Sequence, residues 1–147
     1  DVAPSNAFIG VMLRHEILSR GSKACSILEE SILYWLPMAQ RTGTLWEHLS
    51  PMASCSHGFT VHVTHSFFRD VLGMSRLDPV RRGVQLSFHY LPILWASGTI
   101  PVPDGLIELQ WTREGDTVSY SYRVPAGYQV TVRPITGLRV VDAATAQ

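Results

Sequence analysis

Two short stretches hold the residues with the most chemistry. Gly43-Thr44-Leu45-Trp46-Glu47 sets a carboxylate beside an indole, just after a glycine placed to end a helix. Ser54-Cys55-Ser56-His57-Gly58-Phe59 follows closely and adds hydroxyls, an imidazole and a second ring. A carboxylate can take a proton, an imidazole can hold a hydroxyl, and rings can lie against a pyranose face. Together these are the groups of a sugar site. Each also has a plainer role when read alone. Glu47 fits a solvated or capping carboxylate at a helix start, His57 fits a cap on the helix that follows, and Trp46 fits packing.

Other clusters carry less. His62 and His65 lie three apart, and His48 is next to Glu47, but a zinc site needs three or four converging ligands and this spacing does not supply them. No metal ligands are assigned. His15-Glu16 begins like a zinc-protease helix motif, yet the residue four after His15 is Ser19 rather than histidine. Ser54 and Ser56 flank His57 without the glycine elbow that a serine nucleophile needs. Trp95 and Trp111 are read as filling a β core or its seam with the helices, with glycan binding on an exposed face as the alternative.

The elements that must position these groups change character near Gly73 to Gly83. Before that point apolar residues recur at helical intervals; after it they alternate between glycines and prolines. Ser5 or Asn6 is placed to cap a first helix that runs to about Ser19 and turns Phe8, Met12, His15 and Leu18 inward. Arg20-Gly21 ends it, and Ser22 is placed to cap a second helix with Ala24, Ile27, Leu28, Ile32, Trp35 and Leu36 inward, ended at Pro37 or in the segment after it. The tight link predicts an antiparallel hairpin of the two. A third helix is expected from about Ser56–Gly58 to Leu72, closed by Gly73. Strands are expected over Val84–Tyr90, Leu106–Trp111, Thr117–Val124 and Tyr128–Val132, with turns at Glu114-Gly115-Asp116 and Pro125-Ala126-Gly127. Regularly spaced hairpin signals of this kind predict an antiparallel β-sandwich. The fold class is therefore α+β, with helices over residues 1–78, a sandwich over 79–147, and a frayed tail from Asp142.

Composition excludes several function classes. With 46% hydrophobic and 16% charged residues, the chain has the means to build a core. Up to Asp78 there are six basic and seven acidic residues, and after it six and five, so neither part offers the basic footprint of a nucleic-acid or anionic-membrane partner. No apolar run approaches the roughly 20 residues that span a bilayer, and residues 1–5 do not read as a signal peptide. Cys25 and Cys55 are read as free, buried thiols. The compartment is not legible.

Beyond these residues, four ordered motifs resemble one family, the bacterial and fungal alpha-L-rhamnosidases. Gly43-Thr44-Leu45-Trp46-Glu47, preceded by Trp35 and Met38, is similar to its catalytic-base motif. Ser54-Cys55-Ser56-His57-Gly58-Phe59 resembles a small-polar-His-Gly-aromatic segment, with Ser56 where asparagine is usual and Phe59 where tryptophan or tyrosine is usual. Residues Gly98–Glu108 resemble a linker into the family's C-terminal β domain, and Val124-Pro125-Ala126-Gly127 resembles a strand turn within it.

The resemblance implies the last helical hairpins of a six-hairpin alpha/alpha toroid followed by a β-sandwich. It implies hydrolysis of terminal alpha-L-rhamnosides with inversion, Glu47 as general base, and His57 and Trp46 in the substrate site, Trp46 more as packing behind Glu47 than as a stacking platform. It implies no metal or organic cofactor. It also implies that the general acid lies in an acidic motif outside these residues, so that the partner is a missing N-terminal part of the same enzyme and the chain alone is inactive. The rival reading is a non-catalytic carbohydrate-binding or interaction module, whose binding survives loss of Glu47 but not of Trp95 or Trp111.

Overall fold

The computed structural model describes residues 9–47, 52 and 54–144 of an α+β chain. Two helices lead, α1 (Ile9–Arg20) and α2 (Ala24–Thr42). A helical run then changes its winding twice, from a 3-10 turn (Gly58–Val61) through α3 (His62–Ser66) to a π-helical segment (Phe67–Val71). Seven strands follow: β1 (Met74–Asp78), β2 (Gly83–Leu86), β3 (Trp95–Val102), β4 (Gly105–Glu114), β5 (Thr117–Arg123), β6 (Gln129–Val132) and β7 (Arg139–Asp142).

The chain forms two compact units, Asp1–Phe67 and Phe68–Gln147. The division falls inside the π-helical segment, ahead of the change in composition near Gly73 to Gly83. Packing explains the earlier position: a Cβ built on Gly98 of β3 would lie 2.8 Å from Leu72 and 3.0 Å from Phe68, so these side chains sit against the sheet.

In the helical unit, α1 ends differently from expectation. Ser22, not Gly21, takes the left-handed conformation (φ 55°), with Lys23 N–H bonded to Leu18 C=O (2.8 Å) and Ser22 N–H to Ser19 C=O (3.0 Å). This is the Schellman pattern, in which the reversed residue lets its own amide and the next one satisfy carbonyls of the last turn. Ser22 therefore cannot cap α2; Lys23 stands at the cap position and makes no side-chain cap bond.

The link still reverses the chain, and Arg14 on α1 grips Glu30 on α2 through two hydrogen bonds of 2.7 and 2.6 Å. These partners are equally distant from the Ser22 turn, as an antiparallel hairpin requires. Of the inward set expected on α1, His15 is buried and Met12 and Leu18 are half-buried, while Phe8 lies outside the described residues with Ser5 and Asn6. The buried face of α2 is Ala24, Ile27, Leu28, Ser31, Trp35 and Met38. Ile32 and Leu36 are 44% and 45% exposed, a correction of the expected face. His15 meets Ser66 Oγ at 3.3 Å and lies edge-on to His62, which in turn lies edge-on to Trp35.

The β unit has two sheets, ordered β1-β2-β6 and β3-β4-β5-β7. Both are mixed rather than antiparallel throughout, because β6 runs parallel to β2 and β7 runs parallel to β5. The turn at Pro125–Gly127 does not return the chain alongside β5. It sends the chain to the other sheet, where Gln129 N–H bonds Arg82 C=O (2.8 Å), and Arg139 later comes back to bond Asp116 C=O (2.9 Å). Residues Gly98–Glu108, which resembled a linker, are instead the hairpin of β3 and β4, turned at Pro103-Asp104. Asp142 is not frayed: it closes β7 opposite Tyr120.

Ile107, Leu109, Trp111, Val118 and Tyr120 point from one sheet into the core, and Val84, Leu86 and Phe88 come from the other region, with the Phe88 and Tyr120 rings 5.2 Å apart. Trp111 is thus core, whereas Trp95 is 66% exposed, against the expectation that both would be buried.

Two predictions follow from this packing. Gly73 has φ 92°, and a Cβ there would meet Phe88 at 2.9 Å and the Ser87 carbonyl at 3.0 Å. Gly73→Ala should therefore cost about 2–4 kcal/mol of the β unit's stability by urea denaturation, combining left-handed strain with overpacking. Gly83→Ala, with open space around it, should cost little. The second concerns His89, whose pKa is lowered first by burial, with the charge of Asp70 opposing. As pH falls below the usual value of 6.5 the unfolded chain binds the proton before the folded one, so this contribution is present above that pH and lost as pH drops through the folded pKa. Urea midpoints measured between about pH 7.5 and 5 should fall, and His89→Phe should flatten that dependence.

Candidate functional site

The site begins where α2 ends. The helix passes through Pro37 at the loss of one backbone N–H, and runs on to Thr42. Gly43 then adopts the left-handed conformation (φ 72°, ψ 8°), its N–H bonded to Ala39 C=O at 2.8 Å. A side chain resists that conformation, and the glycine lets the chain fold back along the helix it has just left.

The fold-back fixes Trp46. Its backbone N–H meets the Met38 sulfur at 3.4 Å and its indole N–H donates to Thr42 Oγ1 at 2.7 Å. The ring is 3% exposed, in a cluster with Trp35, Met38 and Val63. The Arg41 guanidinium lies over it, 4.9 Å from the centroid.

The next contacts bring the two chemistry-bearing stretches together. Glu47 N–H bonds Ser54 C=O and His57 N–H bonds Leu45 C=O, each at 2.9 Å. The Thr44 hydroxyl also donates to Cys55 C=O. Leu45–Glu47 thus runs antiparallel to Ser54–His57; His48 lies outside the described residues. Glu47 is half-buried, and its Oε2 lies 3.4 Å from Ser54 N–H.

His57 is half-buried at the start of the 3-10 turn, where its side chain makes no cap hydrogen bond. Its carbonyl instead accepts from Thr60 N–H (3.1 Å) and Thr60 Oγ1 (2.6 Å), which ties the histidine's backbone to the helical run.

Other candidates fall elsewhere. His62 Nδ1 lies 3.1 Å from Phe59 C=O, and among the described residues no three His, Cys, Asp or Glu side chains gather as metal ligands. Cys25 and Cys55 are not in a disulfide, and both are half-buried rather than buried. The Cys25 thiol is pushed up, first by burial and then by Glu29. Reading the sequence missed Met38, Thr42 and Arg41 as the groups that seat Trp46. A signal was present, since Thr42 lies four residues after Met38 and four before Trp46. No described helix is long and apolar enough to cross a membrane.

A helical unit presenting a carboxylate beside a buried indole, joined to a two-sheet β unit, is an arrangement of a multidomain α+β protein. The comparison begins with the β unit. Residues 77–141 match the family model described as the bacterial alpha-L-rhamnosidase C-terminal domain. Among solved structures, the chain is similar to that of a GH78 family rhamnosidase of Bacillus sp. GL1, with a TM-score of 0.73 at 19% identity. That likeness covers 94% of this chain and 16% of the other, so the chain spans about a sixth of the length of the enzyme it resembles. No curated protein sequence matches it.

The seating of Trp46 can be tested directly. Trp46→Ala should destabilise the helical unit by about 3–5 kcal/mol, the usual cost of truncating a buried tryptophan. Thr42→Val should cost less, about 1–3 kcal/mol, by stranding the indole N–H. Urea titrations followed by circular dichroism at helical wavelengths measure both, and equal costs would show that the Thr42 bond carries the whole effect.

Proposed function

We propose that this chain is the C-terminal part of an inverting alpha-L-rhamnosidase, and that its helical residues, to about 78, are the last hairpins of a six-hairpin toroid. In this reading residues 79–147 are the trailing sandwich domain. The observation that carries the site assignment is the antiparallel pairing of Leu45–Glu47 with Ser54–His57, which seats a carboxylate and an imidazole on adjoining segments.

Glu47 acts as general base. It takes a proton from water as the water oxygen bonds to the anomeric carbon, the bond to the aglycone oxygen breaks, and that oxygen is protonated by a carboxylic acid from another part of the enzyme. Inversion needs the two carboxyl groups about 6.5–9.5 Å apart so that water fits between one of them and the sugar. His57 contacts a sugar hydroxyl, and its carbonyl bonds to Thr60 hold the backbone that carries it. Trp46 serves from behind, as the wall that keeps Glu47 in place. The substrate is a terminal alpha-L-rhamnoside, and the water step uses no metal or organic cofactor.

The assay is release of 4-nitrophenol from its alpha-L-rhamnoside. The 147-residue chain alone should give no turnover above buffer. With the remaining part of the enzyme supplied, turnover should appear, and Glu47→Gln should lower it about 10²–10⁴-fold. Azide needs no deprotonation, so it should partly rescue that variant and yield the beta-rhamnosyl azide. Full activity of the Gln variant would remove Glu47 from its role. Turnover by the chain alone that vanishes in the Gln variant would show that the acid lies within these residues.

A further inference from the structure

The outer face of the β3-β4-β5 sheet holds an unusual row of side chains. Strand alternation sends Trp111 of β4 into the core, at 3% exposure, and leaves Trp95 of β3 on the opposite face at 66%. Beside Trp95, register aligns Ser97 with Gln110 and Gln110 with Ser121, one residue from each of three strands. Gln110 Nε2 donates to Ser121 Oγ at 2.9 Å, which ties the amide to the neighbouring strand.

Two shallow depressions of about 420 and 350 Å³ adjoin on this face and share Ser97, Gln110 and Ser121; Trp95 lines one end and the Glu108–Arg123 pair lines the other. That pair is 3.4 Å apart, so its charges offset each other and the face is close to neutral.

We propose that this sheet face is a binding site for a neutral saccharide, separate from the Glu47 site. The chemistry selects this occupant over the others. An indole left mostly in water keeps a large apolar ring available to lie along the C–H face of a sugar. The amide and hydroxyls of the row supply donors and acceptors at strand spacing, as a hydroxyl-bearing ligand requires. Nucleic acid would need a surplus of positive charge, and Arg123 is already opposed by Glu108. A protein partner would need an apolar patch at the centre of its interface, and Trp95 is the one large apolar side chain among the outward-facing Trp95, Ser97 and Thr99 and their partners Thr112, Gln110, Glu108, Ser119, Ser121 and Arg123.

The test titrates the intact chain with methyl alpha-L-rhamnoside, an uncharged rhamno-oligosaccharide and an oligogalacturonate, following tryptophan fluorescence and backbone amide shifts. Saturable binding of an uncharged probe is expected, with shifts on β3, β4 and β5 and weaker binding of the anionic probe. Trp95→Ala should weaken binding about tenfold or more, the loss expected for one aromatic contact. Trp95→Phe should keep much of the affinity, Gln110→Ala should weaken it several-fold, and Glu47→Gln should leave it unchanged. Trp95 and Gln110 are both exposed, and matched urea midpoints verify that the variants fold. No saturable binding of either uncharged probe, or binding that Trp95→Ala leaves intact, overturns the proposal. Binding lost in Glu47→Gln but kept in Trp95→Ala also overturns it, by assigning the sugar to the helical unit.

Discussion

Glu47 N–H to Ser54 C=O and His57 N–H to Leu45 C=O are two backbone hydrogen bonds, each 2.9 Å long, and the candidate site depends on them. They fix which residues of the two segments face each other, and the Thr44 hydroxyl bond to Cys55 C=O adds to them. The left-handed turn at Gly43 makes them reachable by reversing the chain off the end of α2, and the Met38 and Thr42 contacts to Trp46 hold the reversed segment down. Glu47 is therefore positioned by the backbone and by its buried neighbour, and its carboxylate accepts one hydrogen bond, from Ser54 N–H at 3.4 Å. A carboxylate used as a base benefits from such an arrangement, because little has to move when it takes a proton.

In the β unit the organising constraint is the two-residue repeat of a strand. Along β4 it sends Ile107, Leu109 and Trp111 inward and Glu108, Gln110 and Thr112 outward. Register with β3 and β5 copies that choice across the sheet, so one face becomes core and the other carries the polar row of Ser97, Gln110 and Ser121 beside Trp95. The chain crosses between the sheets after β2, β5 and β6, and the last two crossings add one parallel strand to each sheet. The family match over residues 77–141 lies on this part of the chain.

Local rules accounted for much of the fold. Gly43 and Gly73 both proved to be left-handed turns at the ends of helical segments, and the Gly115 turn joins β4 to β5 where the alternation placed it. The failures share a cause. The α2 segment is apolar around much of its circumference, so periodicity could not choose between a face with Ile32 and Leu36 and one with Ser31 and Met38; packing against α1 and α3 residues chose the second. Residues Trp95–Val102 hide a strand because their inward positions are Ala96, Gly98, Ile100 and Val102, two of them too small to mark an apolar alternation. Gly98 is small because Leu72 and Phe68 press on it, a fact of packing that no local pattern records.

The sequence alone settled the α+β class, the order of helices before strands, the turn glycines and the stretches that carry a carboxylate, an imidazole and indoles. These follow from backbone conformational preference and from periodicity, which act over a few residues. The tertiary structure decided which indole is buried and which is bare, which sheet receives β6 and β7, and that Leu45–Glu47 lies along Ser54–His57. Each of those outcomes depends on free-energy differences between residues far apart in the chain, and a side chain's local preference is the same in either case.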